Sequence, residues 1–504
     1  MELQYLASAL GTLATPEAVV TLTLSVFFGL IVGMLPGLTA TMAVALLTGL
    51  TYKTSPDLAI LSLIGVYVGA ISGGCQSAIL LNIPGTPASA ATAQDGYPMG
   101  QQGKGGLAIF LATSASALGT LGSVIFLLFL TPALTGFALK FGSWEFFLLA
   151  VFGIMICGQL ASGGDPLKGW IAGILGLLAS LVGLDGLQGF PRFSFDNIDL
   201  MAGFSLIPIM IGLFGFPEIV ASFKKTKTVI GELHRIDYRE GLRILAKHWE
   251  TVVRSTFIGV MVGIIPGVGE DVGGWLSYWA ARMRSKTKSW FGKGNPDGVV
   301  AAETGNNSCI GGAIIPILSL AVPGSAPAAV LMAAFWLHGL RPGPLMMSET
   351  PGFLYTVAIY LVASSFIMWA LGLLISRFTV KILQVSPQLL MPVVFLFCVV
   401  GSYVINDRMF DVWVMFGFGF VGLFLSQMNF PSAPFLLGVI LGPMADTNLR
   451  RALTLSDGSI MPFFTRPICL FFMIIILLMI GAQAGLFNRW LPKSTPEEAA
   501  GGNE

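Results

Sequence analysis

Residues 29–37 read Gly-Leu-Ile-Val-Gly-Met-Leu-Pro-Gly, and residues 259–267 read Gly-Val-Met-Val-Gly-Ile-Ile-Pro-Gly, so one helix-breaking motif occurs twice at an offset of 230 residues. A second duplicated motif follows each copy, as Pro-Gly-Thr-Pro at residues 84–87 and as Pro-Gly-Ser-Ala-Pro at residues 323–327. Corresponding interruptions in two membrane halves point to a ligand site, because a broken helix presents free backbone donors and acceptors. The chain is therefore predicted to consist of two related halves.

Membrane residence follows from composition. Charged residues make up 11% of the 504 residues, against about 25% in soluble domains, and the mean hydropathy is +0.81. The runs 58–94 and 304–340 each contain 37 residues without Asp, Glu, Lys or Arg. One helix of that length would measure about 55 Å, far more than the ~30 Å hydrocarbon core, so each run must break or fold back. We predict an all-α polytopic membrane protein with roughly a dozen apolar segments and Pro-Gly broken or re-entrant helices.

Several classes of protein are disfavoured. The net charge of +1, without a basic patch interleaved with aromatic residues, argues against nucleic acid as a partner. The five cysteines stand singly in apolar segments, which is typical of small buried hydrophobes and not of disulfides or metal ligands. Three histidines and the absence of H-E-x-x-H and G-x-S-x-G motifs argue against an enzyme. No organic cofactor is expected.

The basic residues set the expected orientation. They cluster in the segments 224–254 and 282–293, and both should face the cytoplasm. The apolar stretch between these segments then begins and ends on one side, which predicts a re-entrant hairpin with Pro266 and Gly267 at its turn.

The first-half counterpart of this hairpin breaks at Pro36 and Gly37, and Lys53 is the only basic residue among the first sixty. So little positive charge favours access from the outside. A motif that enters from opposite sides in the two halves predicts inverted repeats whose tips meet near the midplane. The expected organisation is a first transmembrane repeat (1–222), a basic cytoplasmic linker (223–254), a second transmembrane repeat (255–489) and a polar C-terminal tail (490–504).

The interrupted segments supply the candidate substrate site. Hydroxyl and amide groups stand beside the helix breaks, where the free N–H groups of a new half-helix attract anions such as a carboxylate. The candidate substrate-binding residues are Asn82, Pro84, Gly85, Thr86, Ser89, Asn306, Asn307, Pro323, Gly324 and Ser325. For Gly85 and Gly324 we expect close approach of the backbone to the ligand and a positive φ. The alternative role for the hydroxyls and amides is to bridge helices.

Carboxylates in apolar surroundings are the candidate ion-coupling residues, because intramembrane acids mark ion or proton pathways. These residues are Glu303, Glu270, Asp271 and Asp95. Glu303 precedes Asn306 and Asn307 by three and four positions, so in a helix it shares their face and could bind Na⁺ together with their side-chain oxygens. It could instead carry a proton. Glu270 and Asp271 could alternatively cap a helix at an interfacial hairpin mouth.

The motifs together resemble the large membrane subunit of tripartite tricarboxylate transporters, the TctA family. The resemblance covers about residues 15 to 490, and its motifs are those at 33–38, 81–89, 95–99, 266–271, 302–307, 322–325 and 338–344. One departure is Asp446, where the family more usually has Glu.

The resemblance implies a multi-pass importer of small carboxylates in the bacterial inner membrane, driven by a gradient of Na⁺ or H⁺. The implied partners are a small TctB-like membrane subunit and a periplasmic TctC-like solute-binding protein. A channel, or a scaffolding subunit without a coupling site of its own, is the alternative.

Overall fold

The computed structural model describes residues 2–35, 37–161, 165–222, 237–383 and 387–483. Helices dominate, and one two-stranded antiparallel hairpin pairs β1 (Gly183–Leu184) with β2 (Pro191–Arg192). Six of the described helices are long and apolar enough to cross a membrane, and six further apolar helices are shorter. These findings confirm the prediction of an all-α polytopic membrane protein.

The first half contains eleven helices among the residues described. They are α1 (Glu2–Leu13), α2 (Pro16–Met34), α3 (Ala40–Thr51), α4 (Pro56–Leu81), α5 (Ala90–Met99), α6 (Gly105–Ala138), α7 (Ser143–Ala161), α8 (Pro166–Ser180), α9 (Ile198–Met201), α10 (Leu206–Met210) and α11 (Phe216–Ser222). A 3₁₀ turn at Pro87–Ser89 precedes α5, and π-helical turns at Gly100–Lys104 and Ile211–Gly215 precede α6 and α11.

The second half contains thirteen helices among the residues described. They are α12 (Tyr238–Lys247), α13 (Trp249–Ile264), α14 (Gly269–Arg284), α15 (Pro296–Leu320), α16 (Ala326–Leu337), α17 (Met346–Glu349), α18 (Phe353–Ile375), α19 (Thr379–Leu383), α20 (Pro387–Val404), α21 (Met409–Gln427), α22 (Ser432–Leu455), α23 (Pro462–Thr465) and α24 (Pro467–Gln483).

Each half contains two helices that pack along one long helix, α2 and α3 along α4 in the first half and α13 and α14 along α15 in the second. In the second half, α13 runs parallel to α15, since Gly259 lies against Gly305 and Gly263 against Gly312. Helix α14 returns in the opposite direction, because Ser277 also lies against Gly305. The start of α13 and the end of α14 therefore lie at the same end of α15, as expected for the predicted hairpin. The small-residue spacing of these glycines serves backbone contact between helices.

The equivalent long helices of the two halves run antiparallel. Ala88, beyond the end of α4, contacts Asn306 in the first half of α15. Ser325, beyond the end of α15, contacts Tyr67 in the first half of α4. The same holds for α6 and α18, where Ser365 contacts Ala117 and Trp369 contacts Ser114. Antiparallel equivalents are the arrangement expected of inverted repeats.

Helices α7, α8, α10, α11 and α20–α22 form an outer frame in which the halves exchange partners. Helix α22 of the second half packs against α7 and α8 of the first, and α10 and α11 pack against α21. Near the C-terminal end of α22, the carboxylate of Asp185 pairs with Arg450 at 2.6 Å and with Arg192 at 2.8 Å. Burial raises the pKa of Asp185, but hydrogen bonds from Arg450 and two backbone N–H groups outweigh it and lower this pKa. The ion pairs are therefore retained at neutral pH.

A glycine in this frame gives a clean test of the packing. A Cβ atom on Gly176 would lie 1.9 Å from the carbonyl oxygen of Phe435, where no side chain fits. We expect Gly176→Val to lower the yield and melting temperature of the purified protein, since overpacking typically costs about 1–3 kcal/mol or more. The matched control is Gly417→Val, because nothing lies within 4 Å of its Cβ position. Equal melting temperatures for the two variants would contradict this packing.

Candidate functional site

The two interrupted segments meet the tips of the two hairpins in the same way. A Cβ on Gly85 would lie 2.0 Å from the carbonyl oxygen of Gly33, and one on Gly324 would lie 1.9 Å from that of Gly263. Glycine is thus required here by contact between backbones inside the protein. We name the segments loop 1 (residues 82–89) and loop 2 (residues 321–325).

The expectation of a positive φ at Gly85 and Gly324 is wrong. The left-handed conformation occurs instead at Asn82, with φ 56°, and at Ala321, with φ 57°. These two residues end α4 and α15 at equivalent positions, so the left-handed residue stops each long helix. The side chain of Asn82 is exposed, and the residue acts in the fold through its left-handed backbone, which ends α4.

At the hairpin turns the glycines do take positive φ, 101° at Gly37 and 73° at Gly267. Pro266 precedes Gly267 in the turn between α13 and α14, as predicted. Pro36 lies outside the described residues.

A buried carboxylate, that of Glu270, contacts loop 2. Glu270 lies in the first turn of α14, 3% exposed, and its Oε1 accepts hydrogen bonds from the Tyr67 hydroxyl and from Ser325 Oγ, the latter at 2.8 Å. Ser325 Oγ also caps α16, since it accepts a bond of 3.3 Å from the N–H of Ala328. Pro323 is buried in the same turn, and Glu270 thereby connects α14, α4 and the start of α16.

A second buried carboxylate lies near loop 1. Glu303, in α15, is fully buried, and it accepts hydrogen bonds from Thr92 Oγ1 of α5 and, at 2.8 Å, from Ser116 Oγ of α6. The Asn307 side chain donates to the backbone carbonyl oxygen of Glu303 at 3.3 Å. The carboxylate of the second half is thus enclosed by hydroxyl groups of the first.

The two asparagines connect α15 to the first half. Asn306 Nδ2 donates to the carbonyl oxygen of Ala88 in loop 1 at 3.0 Å. Asn307 Nδ2 donates to Asn306 Oδ1 at 2.6 Å, and Asn307 Oδ1 accepts from Ser72 Oγ of α4 at 2.7 Å. The helix therefore places Glu303, Asn306 and Asn307 together, as their spacing predicts.

Neither Glu270 nor Glu303 has a cationic partner within the described part of the chain. A buried carboxylate without a counter-charge is costly, by several kcal/mol even after relaxation. The physical remedies are a bound proton or a bound cation. An ion-coupling role for Glu270 and Glu303 stays a prediction.

Asp95 has different surroundings. Its Oδ1 accepts hydrogen bonds from the N–H groups of Gly292, Gly294 and Asn295 at 2.7 to 2.9 Å, and its Oδ2 accepts one from Tyr278 at 2.9 Å. Four donors satisfy this carboxylate without any ion. Asp95 thereby fastens the segment before α15 to α5.

The remaining candidates differ in exposure. Asp271 is exposed beside the buried Glu270. Thr86 is 2% exposed, and its Oγ1 has no hydrogen-bond partner among the described residues. Ser89 Oγ donates to the carbonyl oxygen of Thr86 at 2.9 Å, and Pro84 is half-buried in the turn before it. Asp446, the departure from the family pattern, pairs with Arg192 at 2.8 Å.

Sequence reasoning missed four hydroxyl residues that contact this site, namely Tyr67, Ser72, Thr92 and Ser116. Hydroxyls are frequent in membrane helices, and no spacing rule separates these from their neighbours.

A cavity of about 530 Å³ lies beside loop 2, between α8, α16 and α22. Ala321 and Trp336 line it, and Ser180 supplies the one hydroxyl side chain of the lining within the described residues. Its size suits a small molecule. Its lining is mainly apolar, with Ser180 and Trp336 as the residues that carry side-chain donors in the part described.

Duplicated helix breaks, antiparallel equivalent helices and buried carboxylates without a counter-ion among the described residues are typical of membrane transport proteins. The family described as Tripartite tricarboxylate transporter TctA family matches residues 19–437, and the chain belongs to this family.

Two proteins of Agrobacterium vitis are similar to the chain. One, described as "Uncharacterized 52.8 kDa protein in TAR-I ttuC' 3'region", is 32% identical over 469 residues, which cover 91% of each chain. The other, described as "Uncharacterized protein in TAR-II ttuC' 3'region", is 32% identical over 210 residues, 42% of this chain and 87% of its own length. No solved structure matches the chain.

Proposed function

We propose that this chain is the membrane subunit that carries small carboxylates, tricarboxylates or related organic acids, into the bacterial cell across the inner membrane. The observation that supports this most is the pair of buried carboxylates, Glu270 just after the Pro-Gly turn between α13 and α14 and Glu303 within α15. Each one connects the inverted halves through hydrogen bonds, so its charge state acts on the contacts between the halves. Because a tripartite family implies partner subunits, the proposed partners are a small TctB-like membrane subunit and a periplasmic TctC-like solute-binding protein.

Glu303 is the proposed coupling residue. Its carboxylate accepts from the hydroxyls of Thr92 and Ser116, and the Asn306 amide lies three residues further along α15, so these oxygens could bind Na⁺ together when their lone pairs face the ion. The same carboxylate can hold a proton, which removes the cost of its buried charge. Glu270 is the second such carboxylate. Asp271, being exposed, and Asp95, being fully hydrogen-bonded, are weaker candidates.

The test is uptake by proteoliposomes that contain the complete transporter. Labelled citrate, succinate and acetate are offered with and without the solute-binding protein, under an imposed Na⁺ gradient or pH gradient. We expect saturable accumulation of at least one acid that requires one of the gradients. Flux that only equilibrates the acid, without saturation or gradient dependence, would identify a channel. No flux beyond that of the partner subunits alone would identify a scaffold.

The proposed orientation can be tested by cysteine labelling, because the five native cysteines are all buried. The basic segments should lie in the cytoplasm, which places Ser289 inside and the hairpin beside Phe195 outside. We expect Phe195→Cys to react with an impermeant maleimide in intact spheroplasts and Ser289→Cys to react only after permeabilisation. Phe195 is 84% exposed and Ser289 is exposed, so both thiols are reachable. The reverse labelling pattern would invert the assignment.

A further inference from the structure

The two loops are equivalent in the fold but differ in hydrogen bonding. Thr86 in loop 1 and Ser325 in loop 2 follow the paired glycines Gly85 and Gly324 and stand before the next helical turn. The Ser325 hydroxyl donates to Glu270 and accepts from an N–H group, so its bonding capacity is used. The Thr86 hydroxyl is buried and has no partner among the described residues. A buried hydroxyl without a hydrogen-bond partner is unfavourable, because it has lost its bonds to water and gained none in the protein.

The register of the repeats explains this difference. Glu270 follows the Pro266-Gly267 turn at the position that Ala40 occupies after the first turn, at the same offset of 230 residues. Both hairpin tips touch their loops through equivalent carbonyl groups, and by this register Ala40 is the first-half counterpart of Glu270. The first half thus has the hydroxyl but lacks the carboxylate.

We propose that Glu270 is a built-in carboxylate that occupies the anion position of loop 2, and that a carboxylate of the transported substrate occupies the equivalent position of loop 1, at the hydroxyl of Thr86. This inference rests on the proposed function and assigns the ligand to one of the two loops. In loop 2 the hydroxyl of Ser325 donates to a carboxylate oxygen of Glu270. A carboxylate oxygen is therefore the kind of acceptor that the equivalent hydroxyl of loop 1 would bind.

The surroundings of loop 1 connect this position to Glu303. Asn306, which donates to Ala88 in loop 1, follows Glu303 by three residues in α15, and Thr92, which donates to Glu303, lies six residues after Thr86. A substrate carboxylate in loop 1 therefore enters the field of a buried negative charge, which is weakly screened there. Substrate binding at Thr86 is favoured when Glu303 holds a proton or a cation, so ion and substrate bind with positive coupling.

Equilibrium binding to the purified complex in detergent tests this assignment. The ligand is radiolabelled citrate, succinate or acetate, whichever the wild-type complex binds best. Thr86→Val keeps the shape and removes the hydroxyl, so we expect affinity to fall roughly 10-fold to 100-fold. Thr113→Val is the matched control, because Thr113 Oγ1 in α6 is also buried without a partner among the described residues. It should bind as the wild type does. Equal affinities of Thr86→Val and wild type would overturn the proposal.

A second variant supplies the missing carboxylate. Ala40→Glu gives loop 1 the acid that loop 2 already has, and we expect it to fill the position of Thr86 and abolish binding of the labelled acid. If this variant fails to fold, Glu270→Ala replaces it: added acetate should then raise the melting temperature of Glu270→Ala more than that of the wild type. Wild-type affinity in folded Ala40→Glu, or no acetate effect on Glu270→Ala, would overturn the proposal. A wild-type complex that binds none of the acids would instead contradict the proposed function.

Discussion

Glu303→Gln is expected to abolish gradient-driven accumulation, so that the ratio of internal to external substrate concentration in vesicles falls to about one. A carrier that no longer uses the ion gradient can only equalise the substrate concentrations on the two sides of the membrane. Glutamine keeps the shape of the side chain and can still accept from Thr92 or Ser116. It carries no negative charge that could hold a proton or a cation. The variant therefore removes the differential interaction on which coupling depends while the packing of α5, α6 and α15 is retained.

The measurement is the steady-state accumulation ratio in vesicles under an imposed Na⁺ or pH gradient, together with counterflow, the exchange of labelled for unlabelled substrate without a gradient. We expect Glu303→Gln to lose accumulation more than counterflow. Glu349→Gln, an exposed acid in α17, is the matched control and should accumulate substrate normally. If Glu303→Gln concentrates substrate as the wild type does, Glu303 is structural, and Glu270 becomes the coupling residue to test next.

The part of the fold that sequence predicted rests on local signals. A Pro-Gly pair breaks a helix, so the turn between α13 and α14 follows from Pro266 and Gly267, and the basic segments on both sides of the stretch predict that the chain folds back. The repeat offset then predicts the same break in the first half. The exchange of partners in the outer frame carries no such signal, because apolar membrane helices of similar composition can pair in many ways.

The sequence predicted those contacts of the site that lie within one helix, and it missed those between helices. Glu303, Asn306 and Asn307 lie within one helical turn, so their proximity follows from sequence spacing. Tyr67 and Thr92 lie about 200 residues from the glutamates they contact, and only the packing of the two halves brings them there. The expected positive φ at Gly85 failed because the glycine is needed for contact with Gly33, a requirement that local sequence does not distinguish from backbone strain.

Asp95→Ala is expected to destabilise the protein by several kcal/mol while leaving coupling intact. The change removes the acceptor of the N–H groups of Gly294 and Asn295, both buried, and each unsatisfied donor costs about 1–3 kcal/mol. It also leaves the Tyr278 hydroxyl without its acceptor. Asp95→Asn should be milder, since its amide oxygen still accepts while the charge-assisted part of the bonds, roughly half their strength, is lost.

The readouts are the melting temperature of the purified protein and the accumulation ratio per folded molecule. We expect the melting temperature to fall in the order wild type, Asp95→Asn, Asp95→Ala, with the accumulation ratio of the folded fraction near that of the wild type. Asp165→Ala is the matched control, because Asp165 is exposed and its side chain makes no capping bond to α8. An unchanged melting temperature with lost accumulation would reverse the assignment, because a residue held by four donors would then act through its charge and belong with Glu303 in the coupling machinery.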